Sequence, residues 1–400
     1  MFLSVLLLGT FFYLFFFAVQ LKLQSINRIF YDDIKFVPTD FHYPSISIVV
    51  TGRNEEKDID DAIRSMAKTN YPNLTIIAVN DRSTDRTGAI LNQIACDHKN
   101  VRPVHIDTLP QNWLGKTHAL HQGLSMVDSE WILFTDADIK FANEVLQKAI
   151  FICKSTRIDH LTTYPEILYG SVLEKGFVSA FGLLFALDRP TWRVENLKSK
   201  THIGIGAFNL ISKKAMTDIC GFEHLKMSVD DDIKLGELLK TYGYRTKIAF
   251  GVNHISLRWQ ADLKAYIKGF EKNAFASMDF NLAMGAFALF GIFITTILPT
   301  LTLLFFPLID KIIAAGILAV LAFILHEAKR NTKIEEVYVF LLPMSGILLA
   351  ISITNSIYAT LKSGGIAWRD TFYPISQLKK HISERRAHIE LVRKTRAQNL

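Results

Sequence analysis

The sequence predicts an α/β domain with a mostly parallel central sheet, set between apolar segments long enough to span a membrane. Three observations carry this. Four short β-rich runs (SISIVV, LTIIAV, VRPVHI and WILF) have polar stretches of helical length between the first two and between the last two. Strand, helix, strand at that spacing winds a parallel sheet with helices. An uncharged run at residues 2–21 and the return of apolar sequence after Asn281 supply the flanks.

The chain has 400 residues, half of them hydrophobic, enough for one soluble domain of ordinary size plus membrane segments. Its formal charge is +7 and the basic excess gathers near the ends, which suits an anionic lipid surface as readily as an anionic substrate. Three scattered cysteines, Cys96, Cys153 and Cys220, without a CxxC, make neither a disulfide framework nor a zinc site. A reducing, cytosol-facing catalytic part follows.

The run at 2–21 lacks the positive start and small-x-small site of a cleaved signal peptide, and Lys22 and Arg28 follow it. The positive-inside rule makes it an uncleaved anchor, residues 1–23, with the next domain in the cytoplasm. Residues 44–280 have the texture of the soluble domain, 281–361 form a C-terminal transmembrane region, and 362–400 a basic cytoplasmic tail. Within the apolar region, runs at 282–309, 312–325 and 337–361 are broken by Asp310-Lys311 and by EAKRNTKIEE. The middle run is short for a span and reads as re-entrant, or the longest, with Pro299 and Pro307, folds as a hairpin. Three full spans would put the tail outside, against its Lys379, Lys380, Arg385, Arg386, Arg393, Lys394 and Arg396.

In open α/β sheets the ligand sits at the carboxyl ends of the strands. The residues there are TGRNEE after the first strand, NDRSTDRT after the second and TDAD after WILF. Glu55, Asp81, Asp136 and Asp138 are thereby aimed at one crevice. Asp136 and Asp138, one residue apart, share a strand face and call for a positive partner. Two phosphate motifs fail. LGKT (114–117) has Pro110 where a P-loop needs glycine, and GIGAFN (204–209) is a fragment of a dinucleotide fingerprint far from the first strand. A nucleotide held by carboxylates and a divalent metal remains.

Taken in order, IVVTGRNEE, VNDRSTDRT, LPQNWLGKTHALHQG, FTDAD, GIGAFNLISKKA and SVDDDIKLGELLKTYGYR resemble a membrane-bound family 2 glycosyltransferase. The arrangement of anchor and spans is similar to ceramide glucosyltransferase-like enzymes and bacterial lipid or carotenoid glycosyltransferases. The resemblance implies the GT-A, or nucleotide-diphospho-sugar transferase, fold. It gives Thr51, Glu55, Asp81, Lys116 and Asp136 to the donor, a nucleotide-sugar and by expectation a UDP-sugar, and Asp138 to Mg²⁺ or Mn²⁺, whose preference for hard oxygen suits carboxylates. In SVDDDIKLG the family's Glu-Asp-x-x-Leu-Gly aligns Asp231 with the glutamate and Asp232 with the catalytic base; the change of Glu to Asp leaves Asp231 a rival. Three adjacent aspartates repel one another and raise at least one pKa.

Processive synthases of the family carry Gln-x-x-Arg-Trp. Here I-S-L-R-W keeps Arg258 and Trp259, the acceptor or product site by resemblance, but has Ile255 for the glutamine, which favours a single transfer. His254 and His202 read as structural hydrogen-bonders, His254 with a metal ligand as its alternative role. Residues 260–278 place Lys264, Lys268 and Lys272 beside an apolar stripe of Leu263, Ile267, Phe270 and Ala274, an interfacial helix. The run at 177–187 lies against lipid or is a buried helix. The expected protein is a multi-pass enzyme of the cell membrane, an inverting, metal-dependent glycosyltransferase taking one sugar from a nucleotide-sugar to a lipid acceptor. Nucleic acid is not an expected partner. The alternatives are a processive polysaccharide synthase and a non-catalytic nucleotide-sugar-binding membrane protein.

Overall fold

The structure, a computed structural model, describes residues 2–38 and 40–398. In chain order its elements are α1 (Phe2–Leu23), β1 (Ile29–Phe30), β2 (Ile46–Gly52), α2 (Ile59–Ala67), β3 (Leu74–Asp81), α3 (Thr87–Asp97) and β4 (Val101–Ile106). Next come α4 (Gly115–Ser125), β5 (Trp131–Asp136), β6 (Lys140–Phe141), α5 (Val145–Thr156), β7 (His160–Ile167) and α6 (Val172–Asp188). After these are β8 (Asn209–Ser212), α7 (Lys213–Asp218), α8 (Asp231–Tyr242), β9 (Thr246–Leu257) and α9 (Leu263–Ser277). The chain closes with α10 (Leu282–Ile292), α11 (Leu298–Phe305), α12 (Leu308–Thr332), α13 (Leu342–Ser363), β10 (Gly365–Trp368), β11 (Thr371–Pro374) and α14 (Ile375–Gln398).

These elements form two compact units. One comprises Ile29–Ile167, Arg193–Leu257 and the chain from Lys380 onward; the other Met1–Arg28, Leu168–Trp192 and Arg258–Lys379.

The first unit is built on one sheet of order β1-β9-β7-β8-β5-β2-β3-β4. β5, β2, β3 and β4 are mutually parallel, and β8 runs antiparallel to both β5 and β7. The mostly parallel α/β sheet is therefore as expected. β2 is central and covered on both faces, which is why its sequence is a continuous apolar run and not an alternating one. Successive residues serve opposite sides: Ile48, Val50, Ile76 and Ala78 pack with Ile63, Met66, Leu91 and Ile150, while Val49, Ile77 and Val79 pack with Leu120, Leu235 and Leu239. α4 presses so close to the sheet that a Cβ on Gly123 would lie 2.4 Å from Val49 Cγ1. Ile389 of α14 is buried in this second layer.

In the second unit, among the described residues, four helices are long and apolar enough to cross a membrane: Phe2–Asn27, Leu282–Phe305, Leu308–Thr332 and Glu336–Ser363. The apolar tract breaks at Phe306-Pro307, not at Asp310-Lys311. Pro307 has no amide hydrogen to continue a helix, while Asp310 in the first turn of α12 is favoured by the helix dipole. The middle run, with its charges counted in, is thus a 25-residue helix. α10 and α11 are joined by a π-helical turn at Phe293–Ile297, where Thr295 and Thr296 donate back to Gly291 and Ile292.

α1 meets α12 through Lys22 and Glu327, 2.8 Å apart. α13 packs along α6 and α9: Ser356 Oγ donates to Glu271 O at 2.6 Å and accepts from the amide of Phe275 at 3.0 Å. On α9 the buried stripe is Tyr266, Ala274, Phe275 and Ala276; Leu263 and Ile267 are only half-buried. Tyr266, passed over in the sequence reading, is fully enclosed by Phe177 and Trp259.

Candidate active site

The register of the sheet lines up three strand ends. Thr51 on β2 pairs with Val79 on one side and Asp136 on the other, and Gly52 pairs with Asn80. Asp81 and Asp136 are the last residues of β3 and β5, so the carboxylates emerge from one edge. Beyond β2 and β3 the chain turns sharply at Asn54 (φ 57°) and Arg82 (φ 53°). The two loops interlock. Asn54 Oδ1 accepts from the amide of Thr84 at 2.8 Å, the amide of Glu55 donates to Thr87 Oγ1 at 2.8 Å, and Glu56 accepts from the amide of Arg86 at 3.1 Å. Asp81 is buried and takes a two-pronged bond from Arg82, at 2.7 and 3.0 Å. Glu55 and Thr51 are half-buried at the same edge.

α4 delivers the cation. A side chain at Gly115 would collide with Arg82 and Asp81, each 2.6 Å from its Cβ, so glycine lets the helix start approach β3. Lys116 then reaches Asp136 Oδ1 at 2.8 Å and Asp231 Oδ1 at 3.6 Å. Asp136, Asp231 and Asp232 together hold the Lys116 pKa above its ordinary value, against burial that acts the other way. Thr117 Oγ1 and the amide of Leu114 both bond to Lys226 O, tying this turn to the segment that leads into α8.

The aspartate cluster comes from the first turn of α8. Asp231 is buried and its carboxyl is pushed up to about 7, by burial first and by Asp232 and Asp136 in addition, with Lys116 opposing. Asp232 is half-buried. Its Oδ2 accepts from the amide of Gly206 at 2.7 Å and its Oδ1 from that of Ile233 at 2.8 Å; its pKa is also raised by burial. The glycines of GIGAFN have a steric reason. A Cβ on Gly204 would sit 1.9 Å from Asp232 O, one on Gly206 2.7 Å from Asp136 Oδ2, and one on Gly236 2.0 Å from Ile203 O. Lys240 secures the approach to these glycines by donating to the carbonyls of Val194 and Thr201.

Asp138 lies half-buried two residues past Asp136, and its carboxyl is pushed up to about 7 by burial and by Asp136. A carboxylate this reluctant to ionise beside another is a fit for a cation, and its oxygens are hard donors suited to Mg²⁺ or Mn²⁺. No three His, Cys, Asp or Glu side chains converge as a ready ligand set among the described residues. Further ligands would have to come from bound phosphate oxygens, the usual arrangement for Mg²⁺. His254 is committed elsewhere: its Nδ1 donates to Val252 O at 3.2 Å, and its Nε2 accepts from Lys148 at 2.9 Å. His202 donates to Lys200 O at 3.0 Å.

Thr51, Glu55, Asp81, Lys116, Asp136, Asp138, Asp231 and Asp232 thus all belong to the sheet-based unit, at or beyond its carboxyl edge. Residues 47–219 match the family described as Glycosyl transferase family 2. This stretch is a family 2 glycosyltransferase domain. Two 4,4'-diaponeurosporenoate glycosyltransferases of Staphylococcus aureus are similar to it. One is 32% identical over 108 residues, 27% of this chain and 28% of the relative; the other is 29% identical over 117 residues, 29% and 30%. The chain therefore matches less than a third of either relative's length. A mannosyltransferase from Pyrobaculum calidifontis, solved in complex with GDP-Man and Mn²⁺, aligns over 88% of this chain and 98% of its own at 16% identity and a TM-score of 0.54. At that identity the likeness concerns the GT-A fold.

Arg258 and Trp259 belong to the apolar unit. The Arg258 guanidinium bonds both oxygens of the buried Glu174, at 2.7 and 3.0 Å, and the carbonyls of Leu168 and Ala261 at 2.8 and 2.7 Å. Trp259 packs among Phe181, Tyr266 and Phe270. Arg258 acts here as a brace between the start of α6 and the chain entering α9. Sequence reasoning missed Gly206, whose amide holds Asp232, and Arg82; the crowded GIG motif was the signal for the first.

Proposed function

We propose that this protein is an inverting, metal-dependent glycosyltransferase that moves one sugar from a nucleotide-sugar to a hydrophobic, membrane-held acceptor. One observation carries the reading: Lys116 stands between Asp136 of the strand-end acids and Asp231 of the α8 acids, so a group that handles a diphosphate adjoins a group that handles a proton. Glu55 and Asp81 hold the nucleoside, Thr51 allows its close approach, and Lys116 and Asp136 meet the phosphates and the sugar. Asp138 would hold Mg²⁺ or Mn²⁺; when bound, the ion offsets charge on the departing diphosphate. Asp232, whose carboxylate is fixed by two backbone amides and is half-exposed where Asp231 is buried, accepts the proton of the attacking acceptor. Attack opposite the leaving group inverts the anomeric centre.

The relatives' name, which specifies transfer to 4,4'-diaponeurosporenoate, supports a lipid-like acceptor, and four membrane-length helices support its delivery from a bilayer. The basic α14, rich in arginine and lysine, supports a cytoplasmic catalytic unit. The replacement of the processive glutamine by Ile255 supports a single transfer. Membranes containing the protein are incubated with labelled nucleotide-sugars, UDP-sugars first, and the labelled lipid is analysed by mass and anomeric configuration. A β-linked product from an α-linked donor is expected. A retained configuration removes the inverting mechanism, and donor binding without turnover on any lipid extract favours the non-catalytic alternative.

A further inference from the structure

The part of α14 that belongs to the sheet-based unit lies against α8 and the segment before it. Arg385 is 3% exposed. Its Nη1 donates to Ser228 Oγ at 3.2 Å and its Nε is 3.8 Å from Glu237 Oε2. His381 Nε2 is 3.4 Å from the same Ser228 hydroxyl. Farther along, His388 stacks on His224 with ring centres 3.6 Å apart and pairs with Tyr242 Oη at 3.0 Å, and Arg396 donates to Thr241 O at 2.7 Å. Residues 224–243 are therefore gripped at both ends of α8 by a helix about 150 residues later in sequence.

A buried guanidinium is costly to desolvate, and removing it from its partners leaves their polar groups buried and uncompensated. Ser228 stands two residues before Asp230 and four before Asp232. Arg385 also contributes positive charge toward the Asp230 carboxyl, which Lys234 approaches at 3.5 Å. The aspartate turn is thus held at two points: the Gly206 amide bonds Asp232, and Arg385 bonds Ser228 at the entry to α8.

We propose that Arg385 is a positioning residue for the transfer reaction: through Ser228 it fixes the turn carrying Asp230, Asp231 and Asp232 in register with Lys116 and Gly206. This rests on the reading of the α8 acids as the acceptor-side machinery. Ser228 and Glu237, which Arg385 meets, lie on α8 and the segment before it and not among the donor residues of β2, β3 and β5, so its loss should lower turnover and leave donor affinity intact.

The test uses the full-length protein in membranes or detergent. Arg385→Met removes the charge at similar volume, Arg385→Lys keeps the charge, and Arg386→Ala, an exposed neighbour on the same helix, is the control. A misplacement of about 1 Å at the reacting groups costs on the order of 10²-fold in rate, so Arg385→Met should lower kcat about 10–100-fold with donor KM within about twofold. Arg385→Lys should recover part of the loss, and Ser228→Ala should add little to Arg385→Met. Independently of activity, amide exchange over residues 226–233 should quicken about tenfold or more in Arg385→Met, with β2 unchanged. Normal kcat and unchanged exchange at 226–233 in a folded Arg385→Met or Arg385→Lys protein overturn the proposal. An equal loss of donor affinity also overturns it. An inert Asp232→Asn substitution, by contrast, defeats the base assignment while the exchange result still decides whether Arg385 holds the turn.

Discussion

The amide of Gly206 donates to Asp232 Oδ2 at 2.7 Å, and the same glycine leaves no room for a side chain, since its Cβ would lie 2.7 Å from Asp136 Oδ2. One backbone position thus touches both acidic clusters. Gly206→Ala should displace Asp136 or Asp232 and lower kcat by about 10²-fold, with the fold retained. Steady-state kinetics beside a thermal melt check this; near-normal turnover means the loop gives way at little cost.

Asp232→Asn keeps the shape and one of the two backbone hydrogen bonds, its amide nitrogen being unable to accept the other, while removing basicity. The expected outcome is a loss of about 10²–10⁴ in kcat with nearly unchanged donor binding. Because burial raises the Asp232 pKa, the rate should climb with pH along an acid limb above the ordinary carboxylate range, and the limb should vanish in the variant. Asp231→Asn is the matched comparison; a larger loss there moves the base by one residue.

Asp231 also sets a pH dependence of stability. Its folded pKa of about 7 exceeds its ordinary 3.8, so its contribution is fully present below pH 3.8 and is lost as pH rises through 7, where the folded form ionises too. The donor-free protein should lose unfolding midpoint across that window, and Asp231→Asn should flatten the slope. A wild-type midpoint constant from pH 4 to 7 contradicts this.

Chelation should abolish transfer, and Mg²⁺ or Mn²⁺ should restore it. Asp138→Asn should weaken donor binding when metal is present and have little effect when it is absent, as calorimetry with the nucleoside diphosphate can measure. Full activity of Asp138→Asn in chelator removes the metal assignment.

Arg258→Ala should act on stability more than on chemistry, because it strands the buried Glu174 carboxylate, a loss of about 1–3 kcal/mol or more. The readout is the unfolding midpoint set beside kcat/KM per folded molecule. A selective effect on acceptor KM with normal stability assigns Arg258 to the acceptor site, as the resemblance implies.

Much of this was legible because the determinants are local. A carboxylate that ends a buried strand is visible as an acid after an apolar run, and Asp81, Asp136 and Asp138 were read that way. The parallel sheet followed from the spacing of those runs. The Gly206–Asp232 bond joins residues 26 apart, and Arg385 meets Ser228 across 157, so only the folded chain shows them. Asp310 and Lys311 misled because charge was weighed above helix chemistry: at a helix start an aspartate is at home, and Pro307 sets the break.

The grip of α14 on α8 also constrains how the chain is threaded. Once it sits in a bilayer, a chain that leaves the sheet-based unit after Leu257 and rejoins it at Lys380 must cross an even number of times. Three helices long and apolar enough to cross lie between those points, so with the sheet-based unit on one face of the membrane one of them is expected not to cross. A cysteine introduced at exposed Ser383 should then resist an impermeant thiol reagent on intact cells and react once the cells are opened.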